Sequence, residues 1–335
     1  MNKMIVALLS VLTAIAVCLI LNLSRAIVVP MVIALLIMQA CQPILSLGKK
    51  IRLPQAANVV LVFVFIFLLF FIGVRLGISQ LGQTERIFEQ YGSKLTQTVD
   101  QLFRLFEIPG ESLSIFSLLR RYLGNISGGV INFSSQFILT LVFLMFLLLE
   151  APTLDRKLEL AFPGSRSDTI KTIIGTISQQ TGRYLGTMVI VSFATGFFVW
   201  ASLAIVGVEF AAVWGVLAFI LNFIPTIGSI IASIPPILLA AVQFGFTSPR
   251  TIAAAILVAF FQTFIGNVVA PKMLGDSLGL SPVVVMLSLL LWSLILGIPG
   301  AILSVPIASI IKIICENIPS LHPLAVLMGT PPRSG

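Results

Sequence analysis

From Met4 to Leu23 the chain carries no charged side chain, and apolar stretches of similar length recur at 26–47, 56–78, 131–149, 184–206 and 251–270. About 20 such residues in a helix match the hydrocarbon thickness of a bilayer. Inside lipid no water is present to hydrogen-bond the backbone, so a chain built from these stretches spans as helices. The composition agrees, with 58% hydrophobic and 10% charged residues, against about 25% charged in an ordinary soluble domain. The expected fold is an all-α polytopic membrane protein of about eight membrane helices or hairpins, two of them broken by Pro/Gly motifs, with a small helical hydrophilic insertion. The first stretch shows no small-x-small cleavage pattern before Arg25, so it reads as a retained helix rather than a removed signal peptide.

The segment from Glu209 to Pro236 departs from this plan. An apolar run, Phe210 to Phe223, meets the interruption Asn222-Phe223-Ile224-Pro225-Thr226-Ile227-Gly228-Ser229, and a second apolar run begins at Ile230. Proline lacks the amide that a helix uses, and glycine tolerates unusual dihedrals. Unwound backbone at membrane depth is tolerated only where protein buries it or where it lines a water-filled cavity, so the break marks a transport path or binding site. The competing reading is a tight loop at the water interface. A second apolar pair, 283–296 and 301–314, is broken at Gly297-Ile298-Pro299-Gly300. Gly228 to Pro235 can be laid on Pro299 to Pro306 with few shared letters, which gives an inverted repeat around one intervening span unless the match is chance. The flanking runs of about 14 residues reach roughly 21 Å, short of a 30 Å hydrocarbon core, which leaves re-entrant hairpins and tilted spans both open.

Polarity divides the chain into three N-terminal spans (1–78), an exposed amphipathic insertion (79–130), a fourth span (131–150), a cytoplasmic connector with short amphipathic helices (151–183), a C-terminal transport core holding both broken pairs (184–318) and a cytoplasmic tail (319–335). Within the insertion Leu81, Phe88, Tyr91, Leu95, Val99, Leu102 and Phe106 recur mostly at three- and four-residue steps. This apolar helix face packs on a neighbouring subunit, on the outer leaflet or over the protein's own membrane core. The loop Lys49-Lys50-Ile51-Arg52 has three positive and no negative charges, which places it in the cytoplasm. With Met4 to Leu23 and Ala26 to Leu47 read as a hairpin, both termini fall inside and the insertion outside.

The apolar regions contain no paired carboxylates, no Ser-His-Asp set and no metal-spaced ligands. The one histidine, His322, lies in the tail, and Cys18, Cys41 and Cys315 have no metal-ligand spacing. No Gly-x-x-x-x-Gly-Lys-Ser/Thr phosphate loop occurs either. An enzyme is thereby disfavoured, and neither a cofactor nor a metal is expected. The net charge of +8 reports orientation and contact with anionic lipid rather than nucleic-acid binding. Two classes remain: a transporter of a small polar solute, and a membrane scaffold or sensor whose exposed 79–127 region binds a partner.

Glu209 with Trp214-Gly215, then Asn222 to Gly228, Gly266-Asn267 with Pro271-Lys272-Met273-Leu274-Gly275, Leu278-Gly279-Leu280-Ser281, and Gly297 to Gly300 with Val305-Pro306, together resemble the autoinducer-2 exporter family of bacterial membrane proteins. The similarity runs along almost the whole chain. It implies a bacterial inner-membrane protein that moves a small, polar signalling molecule outward as a homo-oligomer, by similarity a pentamer. Some relatives resemble sodium or lithium/proton antiporters instead. Several relatives carry an acidic residue directly before the proline that Pro271 matches, where this chain has Ala270.

A neutral polyhydroxylated ligand needs hydrogen-bond partners rather than a counter-charge, and Asn222, Thr226, Ser229 and Asn267 supply them. The pathway is accordingly assigned to Asn222, Pro225, Thr226, Gly228, Ser229, Asn267, Gly297 and Gly300, with Pro225 leaving a backbone carbonyl free. Each amide has an alternative role in tying neighbouring helices together. Glu209, the acidic residue nearest the first break, is the candidate for ion coupling; otherwise it stays hydrated or caps the helix beginning at Phe210.

Overall fold

The computed structural model describes residues 3–41, 45, 50, 52–54, 56–68, 70, 71, 75, 126–162, 164–225, 227–274 and 279–330. The amphipathic face expected between Leu81 and Phe106 lies outside the described residues. The helices are α1 (Lys3–Leu23), α2 (Arg25–Ala40), α3 (Ala56–Leu68), α4 (Ile126–Glu150), α5 (Leu154–Ala161), α6 (Ser165–Val206), α7 (Ala211–Leu221), α8 (Ile227–Phe244), α9 (Pro249–Phe264), α10 (Ala270–Leu274), α11 (Pro282–Leu296), α12 (Ile298–Asn317) and α13 (His322–Met328). Among the described residues five helices are long and apolar enough to cross a membrane, or six if α1 and α2 form one bent span. The fold is therefore the all-α polytopic membrane architecture read from the hydropathy.

Several boundaries differ from the sequence reading for identifiable reasons. α1 and α2 meet at Ser24 with a bend of 91° instead of folding back as a hairpin. One residue is too short for reversal, since antiparallel helix pairs use loops of about 2–5 residues. The connector beyond α5 is not a set of short helices, because α6 runs 42 residues without a proline, about 63 Å at the helical rise. The expected boundary at 184 is a change in side-chain polarity, which the backbone ignores. Pro271 lies inside the continuous helical stretch Pro249–Met273, just beyond the π turn, where it supplies no amide to the preceding turn. The second break is a single residue: Ile298, Pro299 and Gly300 already belong to α12, and only Gly297, at φ +72° and ψ −149°, turns the chain.

By contacts the chain divides into two compact units, the first comprising 1–63, 134–186 and 276–335. In it Val29, Ile295 and Leu296 form a buried core against which Cys18, Leu21, Val28, Ile33 and Trp292 pack. Asn22 donates from Nδ2 to the Ile295 carbonyl at 2.8 Å. α11 and α12 are tied across their interface by the Ser288 hydroxyl, which donates to the Ser304 carbonyl at 2.7 Å. Lys157 pairs with Glu150, and Lys171 with Glu159, around α5. The C-terminal segment is fastened as well. Ser281 N–H donates to the Met328 carbonyl at 2.9 Å and Thr330 N–H to the Gly279 carbonyl at 3.2 Å. Leu280 and Gly329 face each other in an isolated antiparallel bridge. Lys312, on α12, adds its ammonium to the same Gly279 carbonyl at 3.0 Å and lies 3.3 Å from Glu316.

The second unit comprises 64–133 and 187–275. Its core joins Val199 and Leu203 of α6, Ala218 of α7, Ala232, Leu239 and Ala240 of α8, and Ala254 and Val258 of α9. α6 and α7 cross with their backbones touching. A Cβ on Gly196 would lie 2.7 Å from the Gly215 carbonyl oxygen, and one on Gly215 would lie 2.8 Å from that of Gly196. Small residues at such crossings let dispersion act between backbones where lipid supplies no hydrophobic drive. Phe198 of α6 stacks on Phe261 of α9 with centroids 4.6 Å apart.

Candidate functional site

The first break lies between α7 and α8, and its backbone is largely re-paired. Asn222 N–H still reaches the Ala218 carbonyl at 3.0 Å, but Phe223 and Ile224 close tighter, three-residue turns onto Ile220 and Leu221 at 3.3 and 2.9 Å. Such turns commonly satisfy the last carbonyls of a helix. The Leu221 carbonyl, which the missing amide at Pro225 cannot serve, is thereby taken by Ile224, and Pro225's own carbonyl accepts from Ile227 at 2.6 Å. The free carbonyl expected at Pro225 is thus occupied. Further along, Pro235 and Pro236 inside α8 withdraw the amides that would have paired with the carbonyls of Ile231 and Ala232.

Asn222 is half-buried at the end of α7 and donates from Nδ2 to the hydroxyl of Ser192, on α6, at 2.9 Å. Ser192 itself is fully buried. The Asn222 amide therefore performs the helix-tying role, while its carbonyl oxygen has no partner among the described residues. Ser229 sits just inside α8, and its carbonyl accepts from the Ser233 hydroxyl at 2.7 Å. Thr226 lies outside the described residues. Gly228 is buried against the end of α7, where a Cβ would fall 1.8 Å from the Leu221 carbonyl oxygen.

The other assigned residues fall elsewhere. Asn267 is exposed on a π-helical turn, Ile265–Val269, inserted between α9 and α10. Gly297 and Gly300 belong to the first unit and form its own break. There a Cβ on Gly300 would lie 1.9 Å from the Trp292 carbonyl oxygen. Glu209 precedes α7 by two residues, and the N-cap position is Phe210, in the left-handed region at φ 58°. The Glu209 amide donates to Gln243 Oε1 at 3.1 Å, which holds the start of α7 to the end of α8.

Sequence reasoning missed Ser192 and the π turn. A lone serine in an apolar helix carries no periodic signal. The extra residue of a π turn is invisible to a pattern that repeats every 3.6 residues, although π turns mark functional segments frequently. Among the described residues no group of three or more His, Cys, Asp or Glu is placed to hold a metal ion.

At each Pro/Gly break a short apolar helix, α7 or α11, meets one long enough to span, α8 or α12, and discontinuous helices of this kind are a feature of solute transporters. The chain belongs to the AI-2E transporter family, whose model matches residues 6–320. It is 36% identical over 324 residues to a Haemophilus influenzae protein named "Putative transport protein", covering 92% of this chain and 91% of that one. It is 33% identical over 321 residues to the "AI-2 transport protein TqsA" of Escherichia coli K12, covering 91% and 90%.

Proposed function

We propose that the protein is a secondary transporter that exports a small polar signalling molecule, similar to autoinducer-2, across the bacterial inner membrane. The observation that carries this reading is the similarity to a relative named for AI-2 transport, which extends over about nine tenths of both chains. The half-buried Asn222, whose carbonyl oxygen has no partner among the described residues, supports a neutral hydrogen-bonding ligand. Proteoliposomes loaded with autoinducer-2 are expected to release it faster than empty-lipid controls. Release at the control rate would leave the scaffold or sensor reading in its place.

The proposed working form is a homo-oligomer, a pentamer, which a native mass measurement on the purified protein checks. Both termini and the Lys49 to Arg52 loop are proposed to be cytoplasmic, with α1 and α2 entering and leaving through the same leaflet, as a 91° bend allows. In single-cysteine labelling on a cysteine-free background, position 94 is expected to react only from outside and position 2 only from inside. Labelling of position 2 from outside would make α1 and α2 one bent span.

Sodium or lithium/proton exchange is the second functional reading, with Glu209 as the coupling residue. The Glu209 amide holds Gln243, which also gives this residue a positional role at the helix junction. Glu209→Gln is expected to leave efflux and its dependence on a proton gradient within about twofold of the wild type, because the backbone amide survives the substitution. Loss of gradient dependence with efflux retained would assign coupling to this carboxylate.

A further inference from the structure

Five buried residues of α9 and its π turn, Thr251, Ala254, Val258, Gln262 and Ile265, follow one another at steps of three and four, so they share one face of the helix. Ala254 and Val258 on that face enter the core of the second unit, and Trp214 of α7 packs against the same core. Gln262 continues the face one turn beyond Val258 and is 7% exposed, yet its Nε2 has no hydrogen-bond partner among the described residues. The indole Nε1 of Trp214 is likewise buried and without a partner. Both nitrogens are donors. In a membrane core no bulk water meets them, and an unmade hydrogen bond there costs more than a made one gains.

One turn on from Gln262, Gly266 is exposed, and an added Cβ there would meet no atom within 4 Å. The helix also widens there into the π turn, with the Ile265 amide shared between the carbonyls of Phe261 and Gln262. Charge narrows the ligand. Between Thr187 and Gly275 the charged residues are Glu209, Arg250 and Lys272, each at or beside a helix end and none on α7 or on the buried face of α9. Two neutral donors with no counter-charge among the described residues of 187–275 on their helix faces fit acceptor oxygens of an uncharged solute.

We propose that Gln262 Nε2 and Trp214 Nε1 donate hydrogen bonds to hydroxyl or carbonyl oxygens of the uncharged solute that this protein carries. The assignment deepens the transport reading and rests on it. The experiment compares wild type, Gln262→Leu and Trp214→Phe in nanodiscs and proteoliposomes, measuring the thermal midpoint alone, the midpoint with autoinducer-2 added, and autoinducer-2 efflux. Gln262→Leu, which removes an unpaired buried amide, is expected to keep or raise the midpoint without solute, to lose the solute-induced rise, and to cut efflux by about tenfold, the effect of one lost hydrogen bond. Trp214→Phe is expected to act in the same direction. Wild-type efflux with a wild-type solute-induced rise in both variants overturns the proposal. A lowered midpoint in Gln262→Leu with the solute-induced rise retained also overturns it, by making the amide structural. If the wild type shows the solute-induced rise without efflux, and the variants lose that rise, the site stands and the transport reading fails. Neither rise nor efflux in the wild type overturns both.

Discussion

Gly228→Ala and Gly300→Ala are each expected to destabilise the purified protein by about 3 kcal/mol or more, at the upper end of overpacking costs, and to lower the yield of assembled protein. The added methyl carbon would lie 1.8 Å from the Leu221 carbonyl oxygen in the first case and 1.9 Å from that of Trp292 in the second. In both, the obstructing atoms are backbone, with the carbonyl carbons at 2.7 and 2.6 Å, so no rotamer change relieves the overlap. The preceding helix must move bodily. Gly175→Ala is the control: Gly175 is a helix-interior glycine with nothing within 4 Å of an added Cβ. That change is expected to be neutral or to stabilise by about 1 kcal/mol through helix propensity. Thermal unfolding in detergent or nanodiscs checks all three. Normal midpoints for both Gly228→Ala and Gly300→Ala would mean that the two breaks are looser than their geometry.

Asn222→Leu is expected to reduce efflux by at least about tenfold while the protein still assembles, because both the donor and the acceptor of the amide are lost. Leucine removes the bond to Ser192 as well, so Ser192→Ala separates the two roles. That variant breaks the helix tie and leaves the Asn222 amide in place. Efflux near wild type in Ser192→Ala, with strong loss in Asn222→Leu and partial activity in Asn222→Gln, assigns the amide to the solute. Equal losses in Ser192→Ala and Asn222→Leu would assign it to packing between α6 and α7. Pro225→Ala belongs to the same series. It restores an amide that competes with Ile224 for the Leu221 carbonyl, extending α7 across the break, and efflux is expected to fall with it.

Hydropathy made the fold class legible because each long span satisfies its own backbone, so its signal is local. The two breaks were legible for the same reason: proline and glycine act on the residues beside them. What failed was anything that depends on a distant partner. The register of the two breaks is one such case. Letters align Gly228 with Pro299, whereas in the structure Gly228 and Gly300 do equivalent work, each lying on a carbonyl near the end of the preceding helix. The acceptor for Asn222 is another, since Ser192 lies 30 residues earlier in an apolar helix. The carbonyl that Pro225 was expected to leave free, that of Leu221, is occupied because the chain re-pairs locally with tighter turns, a choice that composition does not record.

The segment read from the sequence as a tail, 319–335, is laced through Met328 to Thr330 to the segment preceding α11. One carbonyl, that of Gly279, holds both the Lys312 ammonium and the Thr330 amide, and Ala325 of α13 is buried. The consequence is practical. A chain cut after Ile318 would strip one of two donors from the Gly279 carbonyl, unpair Ser281 from Met328 and vacate the slot that Ala325 fills, so it would disturb the start of α11 rather than merely shorten the protein. Affinity tags and reporters belong beyond Thr330, where they leave the lacing intact.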